Sequence, residues 1–201
     1  MTDAGFKKDQ SEILVPILND LTEMILTLRN AFNRQNQSYL KETTKIQKAL
    51  EQDIGMAKKE AKGLTSNEKL TVRLQSILSH LELIQEAINE LVEPLGKQIR
   101  EGILFSNKGI MQTNFLFDHE AGIFRSVADI FLTENPILRD YVLEKIEEMS
   151  QKCMDFATDH EARLIEGLCQ PKAAPVFLAI LDSIRTVSHH EHEIVKLLQE
   201  E

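Results

Sequence analysis

Within about one and a half helical turns the chain carries His189, His190, His192 and Glu193. Side chains of these types bind zinc, nickel or iron through imidazole nitrogen and carboxylate oxygen. On a helix His189 and Glu193 stand four apart on one face, His192 swings near them, and His190 points about a right angle away. Consecutive histidines diverge, so at most two of these four residues reach one ion and a third ligand must come from another helix. Asp118, His119 and Glu120 are the candidates for it. Glu82 and Glu86, also four apart, present two carboxylates that suit a hard cation. Plainer readings compete with both sets: a hydrated polar face near a helix C-terminus for the histidines, and a solvated acidic edge continuing through Glu90 and Glu93 for the carboxylates.

Other polar groups point to structure rather than chemistry. His160 and Arg163 close a helix and face a turn. Lys58, Lys59 and Lys62 form a solvated face beside Glu60. Cys153 and Cys169, the only two cysteines, form no C-x-x-C pair, which fits packing residues in a reducing compartment. Catalytic signatures are lacking: there is no G-x-S-x-G, no glycine-rich phosphate loop, no H-E-x-x-H and no E-x-x-H. No catalysis is expected.

The elements that must position these residues are helices. Ile13, Ile17, Leu18, Leu21, Met24, Ile25 and Leu28 recur at spacings of three and four and predict a first helix from Ser11 to Phe32. A second runs from Ser38 to Lys62 and closes at Gly63, and Ser66 heads a third through Leu91. Pro94 and Gly96 mark a break, with helix resuming through Ile99 to Gly102. Ser106 opens the fourth helix, Asn135 and Pro136 force a turn, the fifth ends near Ile165, and the sixth spans Lys172 to Leu198. The halves repeat: Asn36 in NQSYLKE answers Asn135 in NPILRDY, and LSHLELIQEAINEL falls where LDSIRTVSHHEHEIV falls later. The expected fold is all-α, two tandem three-helix bundles over 11–95 and 106–199 joined by a connector at 96–105.

Composition agrees with helices and narrows the partners. Aromatics make up 5% with no Trp, and the formal net charge is −9. No basic face with stacking aromatics exists, so nucleic acid is not an expected partner. The N-terminal MTDAGFKKDQ lacks an apolar signal core and no run reaches the roughly 20 apolar residues of a membrane span, so a cytoplasmic protein is expected.

The stretch from His160 to Ile194 resembles the last turn and helix of PhoU-like domains, which occur in bacterial phosphate-signalling proteins and in sodium/phosphate cotransporter relatives. His160, Arg163 and Leu164 match the family's H-x-x-R-L. Ile184, Val187, His190 and Ile194 match apolar and histidine positions of its L-E-R-I-G-D-H-A-x-N-I, while Arg185, Ser188 and His189 replace Glu, Gly and Asp. In the first half Leu81, Glu82, Ile84 and Glu86 follow L-E-x-I-x-D with Glu for Asp, and ILFSNKGIMQ is similar to the segment between bundles. The resemblance implies that Glu82 and Glu86 hold iron or zinc, whereas Arg185 and His189 cannot repeat that carboxylate pair. It further implies a regulator of phosphate transport or signalling that docks on a membrane transporter or sensor, with metal ions as the only cofactors and a homodimer among its assemblies. Two alternatives stand beside it: a metal-binding bundle for storage or redox chemistry, built on His189, His192 and Glu193, and the cytoplasmic tail of a cotransporter. A start at Met1 favours a complete chain over that tail.

Overall fold

The computed structural model describes residues 3–63 and 67–199, with only the backbone described for 3–9. Those residues form seven α-helices and no strand: α1 Asp3–Arg34, α2 Gln37–Glu60, α3 Glu68–Asn89, α4 Val92–Glu101, α5 Asn107–Thr133, α6 Pro136–Ile165 and α7 Ala174–Leu197, with a 3-10 turn at Pro171–Ala173. The all-α expectation holds, and α1 to α3 and α5 to α7 are the two three-helix sets. Ser66, expected to head the third helix, lies outside the described residues. Asn67 caps α3, its side chain accepting from the Leu70 backbone N–H.

The two sets lie side by side. Helix α1 packs along α5 and α3 along α7, while α2 covers α1 and α3 from one side and α6 covers α5 and α7 from the other. Four inner helices thus share one apolar interior, and a single cluster runs from Leu14 and Leu28 of α1 through Leu81 of α3 to Phe117, Phe124 and Phe177 of the second set. Polar ties cross the seam in both helix pairs, α1 with α5 and α3 with α7. Arg29 of α1 reaches Asp118 at 3.0 Å and Asn114 at 3.2 Å, and the Ser183 hydroxyl of α7 donates to the Ala87 carbonyl of α3 at 2.8 Å.

Boundaries follow local chemistry. The break expected at Pro94 falls earlier, at Glu90 and Leu91, because a proline at 94 cannot donate to the carbonyl four residues back; Pro94 sits instead in the first turn of α4, where the missing N–H is harmless. Gly63 donates to the Glu60 carbonyl at 2.9 Å but is not left-handed, and α2 ends on the right-handed Ala61. The left-handed glycines are Gly102 (φ 59°) and Gly167 (φ 72°). Each closes its helix with paired bonds, Ile103 N–H to Gln98 O with Gly102 N–H to Ile99 O, and Leu168 N–H to Arg163 O with Gly167 N–H to Leu164 O.

The internal repeat reappears in the backbone. Gln35 (φ 46°) and Glu134 (φ 52°) are both left-handed, and each is followed by an asparagine whose side chain caps the next helix, Asn36 onto Ser38 N–H at 2.9 Å and Asn135 onto Ile137 N–H at 3.0 Å. Phe117 has no exposed surface at the centre of the shared interior. Phe117→Ala should lower the unfolding free energy by about 3–5 kcal/mol in urea titration, against about 1 kcal/mol for the cap variant Asn135→Ala.

Candidate functional site

The histidine-bearing end of α7 lies against α3. His189 is exposed, and the His189–Glu193 pair expected from spacing is not made. Glu193 is held instead by Lys196 at 3.3 Å and His192 at 3.5 Å. The bond to Lys196 and its charge, with help from His192, keep the Glu193 carboxyl below the usual range. His190, which spacing set apart from its neighbours, meets His80 of α3 with 3.1 Å between the two Nδ1 atoms. Burial is the largest cause that lowers the pKa of both rings; at His80 it is opposed next by the charge of Glu193 and then aided by His189, whereas at His190 the imidazoles of His80 and His189 add to it ahead of the upward pull of Glu193.

The other expected ligands lie apart. Glu82 is bound by Lys58 of α2 at 2.6 Å, and Glu86 is exposed one turn on. Asp118, His119 and Glu120 are consecutive on α5 and point three ways, because each residue turns the helix by about 100°. Asp118 pairs with Arg29. His119 stacks on Phe115 with centroids 3.7 Å apart and contacts its carbonyl, at the edge of a groove of about 620 Å³ between α5 and α6. Glu120 is fully buried. The eight residues Glu82, Glu86, Asp118, His119, Glu120, His189, His192 and Glu193 therefore do not form one site. Among the described residues no three His, Cys, Asp or Glu side chains stand together, as placed, as a ready ligand set.

Glu120 has a partner that sequence reasoning passed over. Glu191 of α7 is also buried, at 1% exposure, and its carboxyl faces that of Glu120 closely enough for each to act on the other's titration. No nitrogen or hydroxyl of the described residues donates to either, so a carboxylic proton on one of them is the donor left to the other. Burial pushes Glu120 up to about 8, and burial with the charge of Glu120 raises Glu191 well above the carboxylate range. Cys153 of α6 faces the same interior, where burial and Glu120 push its thiol up to about 12. The signal for this pair was available, since Glu120 falls in register with Leu116, Phe117 and Phe124, and Glu191 with Ile184, Val187 and Ile194, on the apolar faces of their helices.

His160 and Arg163 form the corner expected of them, and it is more connected than spacing suggests. The Arg163 guanidinium donates to Gln112 at 2.8 Å and lies 3.3 Å from the Cys169 sulfur, while His160 Nδ1 lies 3.9 Å from that sulfur and its ring packs on Phe177. Ser106, which caps α5 as expected, contacts the same sulfur at 3.8 Å. The corner thereby fixes the α6–α7 turn against the start of α5.

No family model matches the sequence, and no curated protein is similar to it. Solved structures are. A crystal structure of PhoU from Pseudomonas aeruginosa superposes with a TM-score of 0.84 over 98% of this chain and 97% of its own, at 13% identity. The chain has the PhoU fold. The phosphate transport system regulatory protein PhoU from Streptococcus pneumoniae superposes at 0.81 over 96% of this chain and 92% of its own, at 12% identity. Matching the PhoU fold across nearly the whole chain accounts for both three-helix sets at once.

The buried carboxyl pair sets the pH dependence of stability. In the unfolded chain Glu120 ionises near 4.5, whereas in the folded chain it holds its proton to about 8. The stability tied to that proton is complete below the unfolded value and is lost as pH rises toward the folded one. Glu120→Gln keeps the shape and removes the ionisation. Melting temperatures of the two proteins should coincide near pH 4 and separate in favour of the variant up to pH 8; a constant difference across that range would show that the pair is not the titrating element.

Proposed function

We propose that this chain is a non-catalytic regulator of phosphate transport or phosphate signalling, working in the cytoplasm by docking on a membrane transporter or sensor. The observation that carries the reading is the near-complete superposition on PhoU structures, one of which is described as a phosphate transport system regulatory protein. The sequence resemblance around His160, Arg163 and His190 supports it independently of shape. A net charge of −9 fits a protein partner with a basic face rather than nucleic acid. Among the described residues no helix is long and apolar enough to cross a membrane, which fits a partner that meets the membrane through another protein.

Cations enter this reading at Glu82 and Glu86. Release of Glu82 from Lys58 would leave two carboxylates one turn apart, where an iron or zinc-type ion would neutralise the face and bridge it to the partner or to a second copy in a homodimer. Deletion of the gene should alter phosphate uptake at fixed external phosphate, with complementation restoring it, and the wild-type protein should sediment with membranes containing the transporter. Glu82→Gln with Glu86→Gln should weaken that sedimentation if cations bridge the contact. Uptake identical with and without the gene would reject the regulatory reading as a whole.

A further inference from the structure

His80 and His190 bring two ligating nitrogens together across the seam between α3 and α7. Their Nδ1 atoms are 3.1 Å apart, with ring centroids at 5.3 Å and planes inclined by 43°. In the metal-free protein this is a single hydrogen bond in which one Nδ1–H donates to the lone pair of the other ring. The spacing also falls between the about 2.9 Å separating cis nitrogens on a tetragonal ion and the about 3.4 Å separating two nitrogens on tetrahedral zinc, for metal–nitrogen bonds of about 2.0–2.1 Å.

We propose that His80 and His190 chelate one divalent transition-metal ion of the zinc, nickel or copper class through their Nδ1 atoms, joining α3 to α7. The proton of the donor ring moves to its own Nε2, so both lone pairs face the ion, both rings stay neutral and no proton is released. Glu193 follows His190 by three residues on the same side of α7, and its charge already acts on both rings. Turned from Lys196 and His192, it supplies an anionic third ligand, and water completes the shell. Two imidazoles select against calcium and magnesium, which take oxygen ligands. The site is separate from Glu82 and Glu86, and it stands or falls independently of any role in phosphate regulation.

Calorimetric titration of metal-stripped protein with zinc at pH 7.5 should show one saturable equivalent. His80→Gln and His190→Gln should each weaken it roughly tenfold or more, while His119→Gln, on the α5–α6 groove, leaves it unchanged. With copper, the electron paramagnetic resonance spectrum of the wild type should show coupling to two imidazole nitrogens, and each single variant should show one. Absence of saturable zinc uptake, or wild-type affinity in both His80→Gln and His190→Gln, overturns the proposal. Should either variant lose helical content, the wild-type copper spectrum decides alone, with two nitrogens supporting the site and none refuting it.

Discussion

The structure depends on the burial of its four inner helices on more than one side. Buried positions of α1 include Leu14, Ile17, Leu18, Leu21, Met24, Ile25, Leu28 and Phe32, an arc wider than the single seam of a two-helix contact. Helix α2 covers part of that arc, and α5 must cover the rest. The same holds for α7, whose buried Ile180, Ile184, Val187, Ile194 and Val195 need both α3 and α6. Either three-helix set alone would leave an apolar face in water, at roughly 25 cal/mol for each Å² exposed. Juxtaposition of the two sets is thus part of the folding free energy, and contacts on the seam are as fixed as those within each set.

Closely spaced turns hold that juxtaposition in register. The left-handed residue followed by a capping asparagine at Gln35–Asn36 and again at Glu134–Asn135 reverses the first helix of each set in the same way. The paired bonds around Gly102 and Gly167 end α4 and α6 at fixed carbonyls, and the Cys169 corner then seats the second turn against Ser106. These devices leave α3 and α7 antiparallel, with His80 opposite His190 and Ala87 opposite Ser183. Residues 110 apart in the chain meet because two turns and two caps leave few other registers.

Local patterns in the sequence carry most of the fold. Periodicity in α1, α5 and α7, the caps at Ser106 and Asn135 and the Asn36–Asn135 repeat are each written within a few residues and survive into the structure. Pro94 misplaces a boundary by a few residues because its effect is felt at the carbonyl it cannot reach, upstream of itself. Side-chain partnership was far less legible. Asp118, His119 and Glu120 invite grouping because they are adjacent, yet adjacency on a helix sends them to Arg29, Phe115 and Glu191. His80 draws no notice as a lone histidine, since nothing in its own helix encodes the register that brings His190 to it. The similarity to PhoU structures works at the level of shape, which packing of apolar rows preserves at 12–13% identity while polar residues change.

Helix α7 ties the partly buried histidine pair and the buried carboxyl pair to each other. His190 and Glu191 are consecutive, so their side chains leave the helix about 100° apart, one toward α3 and the other toward Glu120 of α5. A second negative charge on the buried carboxyl pair can be hydrated only if Glu191 moves toward water, since no donor of the described residues faces it. A helix is rigid over one residue, and any rotation of α7 that moves Glu191 outward carries His190 along an equal arc away from His80. The proton on the carboxyl pair and the contact between His80 and His190 therefore favour one and the same seating of α7. Because Ser183 and the apolar row through Val187 and Ile194 hold that seating along the rest of the helix, the two polar pairs act on a seam that packing has already set.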